Sequence, residues 1–230
     1  MTSAVKASGL LHLLQLCSPS LPVGAYSYSQ GLESAMENGY VCDEASSRSW
    51  IAAMLTEVIA RFDAPLTWRL LQAFDAHDAS MINHWTEWFI AARDSAEFRA
   101  EMLQMGYSLG KLLPELVPGN EHLLSLLPPL TELPFPTALA AAAVALKVPA
   151  EDALLGMLFS WAENQVLVCV KSVPLGQVAG QRLLLSLSAL LQQSASIAMT
   201  ISDDNMSNWA PGLSVLSMQH EVQYSRLYRS

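Results

Sequence analysis

The side chains able to do chemistry are few and scattered in this 230-residue chain. Its five histidines, His12, His77, His84, His122 and His220, fall in neither an HxxxH nor an HExxH spacing. A helix-borne metal site needs such a repeat, because ligands four apart point at one ion. His77 and His84 are seven residues apart and would share a helix face, but a boundary at Asp78-Ala79-Ser80 separates them. The histidines therefore read as surface residues, with no intrinsic high-affinity metal site. Cys17, Cys42 and Cys169 are widely spaced with no CxxC, which suits free thiols in a reducing cytosol. Cys169, inside VLVCVK, reads as a small buried thiol rather than a nucleophile. Nothing in the chain matches GxSxG, a P-loop or GxGxxG. As an enzyme, the sequence is nearly mute.

Its polar groups suit recognition better. Leu10 to Glu33, LLHLLQLCSPSLPVGAYSYSQGLE, begins as a leucine-rich helix, breaks at Pro19, Pro22 and Gly24, and enters a new helix at Gly31-Leu32-Glu33. Proline lacks the donor that continues a helix, and Gly24 reaches backbone angles closed to other residues. The break is a corner presenting Tyr26, Ser27, Tyr28, Ser29 and Gln30. Lys171 closes an apolar helix, where the helix dipole favours a cation; alternatively it is an interface lysine paired with Glu33 or Glu163. Gln104, Asn164, Gln165, Gln177 and Gln181 are amides in otherwise apolar helices, where buried amides fix helix register. In QHEVQYSRLYRS, Tyr224, Leu227 and Tyr228 fall on one helical face, and Arg226 and Arg229 on another. Tyr and Arg are favoured interface anchors, and a terminus stays disordered unless docked. This tail reads as a partner-docking segment.

The elements that must position these groups are helical throughout, because apolar residues recur at helical spacing and no convincing alternating run occurs. The spacing predicts an all-α, bundle-like fold of about ten helices. The second helix is expected over Ser29–Glu37, and Asp43 should cap a long helix reaching Phe62. Asp63 should open the next helix, and others should cover Ser80–Arg93 and Ser95–Leu116. Residues 117–136 hold Pro118, Gly119, Pro128, Pro129, Pro134 and Pro136, so they form a connector with at most a short helix at His122–Leu127. It is the only plausible domain boundary, and one domain over 1–230 is the better reading, with a flexible N-terminus and a tail at about 211–230. Helices at Pro136–Leu146, Ala150–Val170 and Gln177–Ala198, and a last short helix entered at Pro211-Gly212, complete the set.

With 52% hydrophobic and 14% charged residues, much apolar material must enter a core or an interface. A membrane span needs about 18 apolar residues. Ala138–Val148 is too short, Ala153–Val170 is interrupted by Glu163-Asn164-Gln165, and Leu183–Ile201 by Gln192-Gln193. The first 16 residues carry a lone lysine and no small-residue cleavage motif, so they read as a helix rather than a signal peptide. A net charge of −9 argues against a nucleic-acid surface, and no basic amphipathic helix suggests a membrane one.

Five blocks, in order along the chain, carry a family resemblance. LPVGAYSYSQGLE (Leu21–Glu33), RAEMLQMGYSL (Arg99–Leu109), PFPTALAAAA (Pro134–Ala143), WAENQVLVCVKSVPLGQVAGQRLL (Trp161–Leu184) and HEVQYSRLYRS (His220–Ser230) resemble the signatures of the urease accessory protein F (UreF) family. Ala25 stands where the family commonly has Gly, and Tyr228 where it has Phe. The resemblance implies an all-α, dimeric, cytoplasmic chaperone without catalysis and without a tightly bound cofactor, acting in nickel delivery to apo-urease. It implies binding to the scaffold accessory protein UreD (also UreH) and recruitment of the GTPase UreG. By position, Tyr26, Ser27, Ser29, Gln30, Glu33 and Lys171 are expected to contact the GTPase, and Tyr224, Arg226, Tyr228 and Arg229 the scaffold. The competing readings are a helical scaffold without a urease link and an enzyme of unknown chemistry.

Overall fold

Helix-favouring residues interrupted by Pro, Gly and capping side chains divide the chain into helices α1 (Thr2–Leu16), α2 (Leu32–Glu37), α3 (Glu44–Met54), α4 (Ala64–Asp75), α5 (Ala79–Ala91) and α6 (Ala96–Leu116). The second half adds α7 (Glu121–Leu124), α8 (Phe135–Ala145), α9 (Ala150–Ser172), α10 (Gln177–Ser186), α11 (Ser188–Thr200) and α12 (Pro211–Glu221). This computed structural model describes residues 2–230, with side chains from residue 8 onward, and no strand occurs among the described residues. Of the flexible N-terminus expected from the sequence, residue 1 lies outside the described residues, and the backbone from Thr2 onward is helix α1. The all-α single-domain expectation holds.

At the centre lies α8, whose Ala138 and Ala140–Ala143 are fully buried. A helix of alanines has a thin profile, so α4, α6 and α9 all approach it closely. On α6, Gly106 makes a second close approach: a Cβ there would stand 2.0 Å from the Leu133 carbonyl oxygen. Thr86 and Thr137 satisfy each other's hydroxyls at 2.9 Å inside this core.

Four boundaries differ from expectation, each for a local reason. No helix starts at Asp63; the backbone stays helical from α3 through wider π-helical turns at Leu55–Asp63 into α4. Pro65 cannot donate to the Arg61 carbonyl, which instead accepts from Ser207 N–H at 3.1 Å. The span Gln177–Ala198 is two helices bent by 42° at Leu187, where the Ser186 and Ser188 hydroxyls bond the Leu183 and Leu185 carbonyls. Helix α2 begins at Leu32 because Gln30 and Gly31 turn left-handed, with φ of 56° and 79°. Residues 222–230 are not helical, so the two faces expected for Tyr224–Arg229 do not form.

The amides divide as well. Asn164 and Gln165 are buried, whereas Gln104, Gln177 and Gln181 are exposed, against expectation. By length and composition alone α9 is apolar enough to cross a membrane, contrary to the sequence expectation. It is also the helix against which α1, α2, α3, α4, α8, α10 and α11 pack. Its polar midpoint is bonded to protein backbone, Asn164 to Tyr28 O at 3.0 Å and Gln165 to Ser29 O at 3.3 Å.

Candidate functional site

The corner and the tail meet. Gln30 and Gly31 reverse the chain so that Ser29 and Glu33 face inward, and both are buried. The final residues lie along this turn: Arg229 N–H donates to Ser27 O at 2.8 Å, and Ser29 donates from N–H (2.7 Å) and Oγ (2.5 Å) to Ser230 O. The Glu33 carboxylate accepts from Leu227 N–H at 2.7 Å and from Tyr228 N–H at 3.0 Å. Two buried backbone donors on one carboxylate form a strong, charge-assisted latch.

His220, fully buried at the end of α12, braces it. Its Nε2 lies 3.0 Å from Glu33 and its Nδ1 2.9 Å from Glu97. Ionised carboxylates only accept, so both contacts are complete when the ring carries both protons. Arg226 adds a bond from Nη1 to Glu97 at 3.1 Å. Glu97 and Glu101 sit four apart on α6 and so share its face towards the tail. Glu101 accepts from Gln30 Nε2 at 2.5 Å and from Ser230 Oγ at 2.8 Å, while Trp161 Nε1 donates to Gln30 Oε1 at 2.6 Å. Burial pushes the Glu101 carboxyl up to about 7, against the pull of the Gln30 and Ser230 hydrogen bonds.

The structure places the residues singled out by sequence in three groups. Ser29, Glu33 and Tyr228 are buried within the latch. Gln30, Tyr26 and Ser27 are half-buried; Tyr26 OH donates to Glu163 at 2.9 Å, and burial with that bond raises its phenol. Lys171, Tyr224, Arg226 and Arg229 are exposed. The expected pairing of Lys171 with Glu33 or Glu163 does not form, because the tail and Tyr26 already occupy those carboxylates. Lys171 Nζ instead stands 5.9 Å from the Tyr228 ring centre, and a shallow groove joins it to Glu37, Tyr224 and Leu227. Sequence reasoning missed His220, Glu97, Glu101 and Ser230 as members. Only the four-residue spacing of Glu97 and Glu101 was visible; their partners lie 71 to 129 residues away.

Beneath the corner is a cavity of about 110 Å³, apolar at Leu13, Met105 and Met157 and polar at Tyr26, Gln30 and Glu101. On the far side of Gln30 and Glu101, Arg93 pairs with buried Asp63 at 3.0 Å and stacks on Phe89 at 4.0 Å. Among the described residues no group of three His, Cys, Asp or Glu side chains gathers to hold a metal ion. The site's carboxylates are engaged in holding the tail, so the arrangement presents a shaped surface.

The UreF family model matches residues 41–188. The chain is 70% identical over 226 residues to the urease accessory protein UreF of Janthinobacterium sp. (strain Marseille), covering 98% of this chain and 100% of that protein. It is 57% identical over 221 residues to the urease accessory protein UreF of Nitrosospira multiformis, covering 96% and 97%. To the urease accessory protein UreF of Azoarcus sp. (strain BH72) it is 48% identical over 227 residues, covering 96% and 95%.

Proposed function

This chain belongs to the UreF family of urease accessory proteins, and from that premise we propose that it is a non-catalytic cytoplasmic adaptor for nickel insertion into apo-urease. It binds the scaffold accessory protein UreD (UreH), recruits the GTPase UreG, and works as a homodimer. Nickel is the cargo of this process, and the adaptor holds no cofactor of its own.

The observation that carries the reading is the union of corner and tail. Their buried half, Glu33, Ser29 and Tyr228, fixes the exposed Tyr224, Leu227, Arg226 and Arg229 beside Lys171 at the end of α9. Exposed Tyr and Arg around a fixed lysine have the composition of interface anchors. The corner and Lys171 serve the GTPase and the tail serves the scaffold. Because the two patches share the Glu33 latch, binding at one constrains the other.

The test is reconstitution of the intact chain with scaffold and GTPase, with and without GTP and nickel. A ternary complex that dissociates in a nucleotide- and nickel-dependent way supports the reading. A chain that joins neither partner under any condition overturns it.

A further inference from the structure

We propose that His77 and His122 form a two-imidazole surface site for a divalent transition-metal ion. The site shares no residue with the corner or the tail, and the inference rests on its own geometry rather than on the urease reading. The two residues are 45 apart in sequence, and their rings meet with centres 5.4 Å apart and planes 11° from parallel.

His77 is held there by its backbone. Helix α4 ends with His77 N–H bonded to Phe74 O (3.1 Å) and Asp78 N–H to Ala73 O (2.9 Å), a closure that ordinarily places glycine in the left-handed position. His77 takes that position, with φ of 54°, where a Cβ is unfavourable. Opposite it, buried Leu123 anchors the short helix α7 and leaves the adjacent His122 exposed.

One nitrogen is already oriented. His77 Nδ1 lies 3.2 Å from the Asp75 carbonyl oxygen. A carbonyl only accepts, so Nδ1 carries the proton and the neutral ring offers a bare Nε2. A bond from the second ring nitrogen to a backbone carbonyl is the usual support of a metal-bound histidine.

The separation also fits. A metal–nitrogen bond of about 2.0–2.1 Å puts the ion about 3 Å from a ring centre, so two imidazoles on neighbouring positions stand roughly 4.5–5.5 Å apart. With His77 held by its bond to Asp75 O, rotation of the exposed His122 ring about Cβ–Cγ re-aims its nitrogen while scarcely moving its centre. Asp75, Asp78 and Glu121 flank the pair in sequence and are exposed, which raises the local cation concentration. Two protein ligands leave the remaining positions to water, so the ion exchanges readily. Imidazole donors select Ni(II), Cu(II) or Zn(II) over Mg(II) and Ca(II).

The test is calorimetric titration of the intact chain with nickel(II) chloride and with magnesium chloride, alongside NMR of the histidine rings. One nickel ion per chain is expected, with paramagnetic broadening centred on His77 and His122, and magnesium should give neither signal. His77→Gly suits the left-handed backbone and keeps the fold, yet should weaken nickel binding at least about tenfold, the smallest loss seen when merely the support of a ligand is removed. His122→Ala should do the same, and His84→Ala should change nothing. Nickel binding that survives in the His77→Gly/His122→Ala double variant, or broadening that avoids both rings, overturns the proposal.

Discussion

Where Gly106 of α6 meets the Leu133-Pro134 segment that leads into α8, backbone closes on backbone with no side chain between them. Where the tail meets the corner, the contact is built from Glu33, His220, Glu97 and Glu101 and almost no apolar side chain other than Tyr228. Both seams are buried, but they fail differently. An apolar seam belongs to the cooperative core and breaks with the whole protein. A polar seam is stable only while every member is satisfied, and it can open locally at lower cost. That contrast suits a core that holds its shape and a tail whose placement sets a docking surface.

The strongest way to break the first seam is Gly106→Ala. The new methyl meets backbone atoms of Leu133 and Pro134 at 2.0 and 2.6 Å, which cannot swing aside. We expect a global loss of about 3 kcal/mol, read as a lower midpoint in denaturant. In the second seam, Glu33→Ala strips three donors of their acceptor. It should cost a comparable amount locally, about 2–3 kcal/mol, seen as faster amide exchange at Leu227 and Tyr228.

Glu101 makes the polar seam sensitive to pH. Its carboxyl sits at about 7 in the fold and near 4.5 in the unfolded chain, so the folded state holds the extra proton between those values. Its contribution is therefore present at the acidic end and declines as pH rises through that window, by at most about 3 kcal/mol. Glu101→Gln should flatten this decline, because its amide can bond both Gln30 and the Ser230 hydroxyl without titrating. A decline of the same size in the variant would assign the pH dependence elsewhere. The smallest effect on stability belongs to Lys171→Ala. The side chain is exposed and unpaired with carboxylate, so the midpoint should shift by less than about 0.5 kcal/mol while urease activation in cells falls. An unfolded variant would make Lys171 structural.

The legibility of the sequence follows the same division. Helical periodicity, the Asp43 cap and the Asn38-Gly39 stop were readable because each acts within a few residues. The corner was readable from Pro22 and Gly24, and so was the burial of Asn164 and Gln165. The coil of residues 222–230 was hidden, because their helical spacing is overridden by backbone bonds to Glu33 and Ser27. The Leu187 bend was hidden in serine hydroxyls that cap carbonyls one turn back. His220 read as an isolated surface histidine because its partners, Glu33 and Glu97, are 187 and 123 residues away. The resemblance pointed to the right segments without revealing that they touch.

The most direct measurement is hydrogen exchange at residues 222–230 and in α8, in the wild-type chain and in Glu33→Ala. The Leu227 and Tyr228 amides are expected to be protected in the wild type and to lose that protection in the variant, while α8 exchanges as before. Unprotected amides in the wild type, or loss in the tail and α8 together, would contradict a polar latch that opens independently of the core.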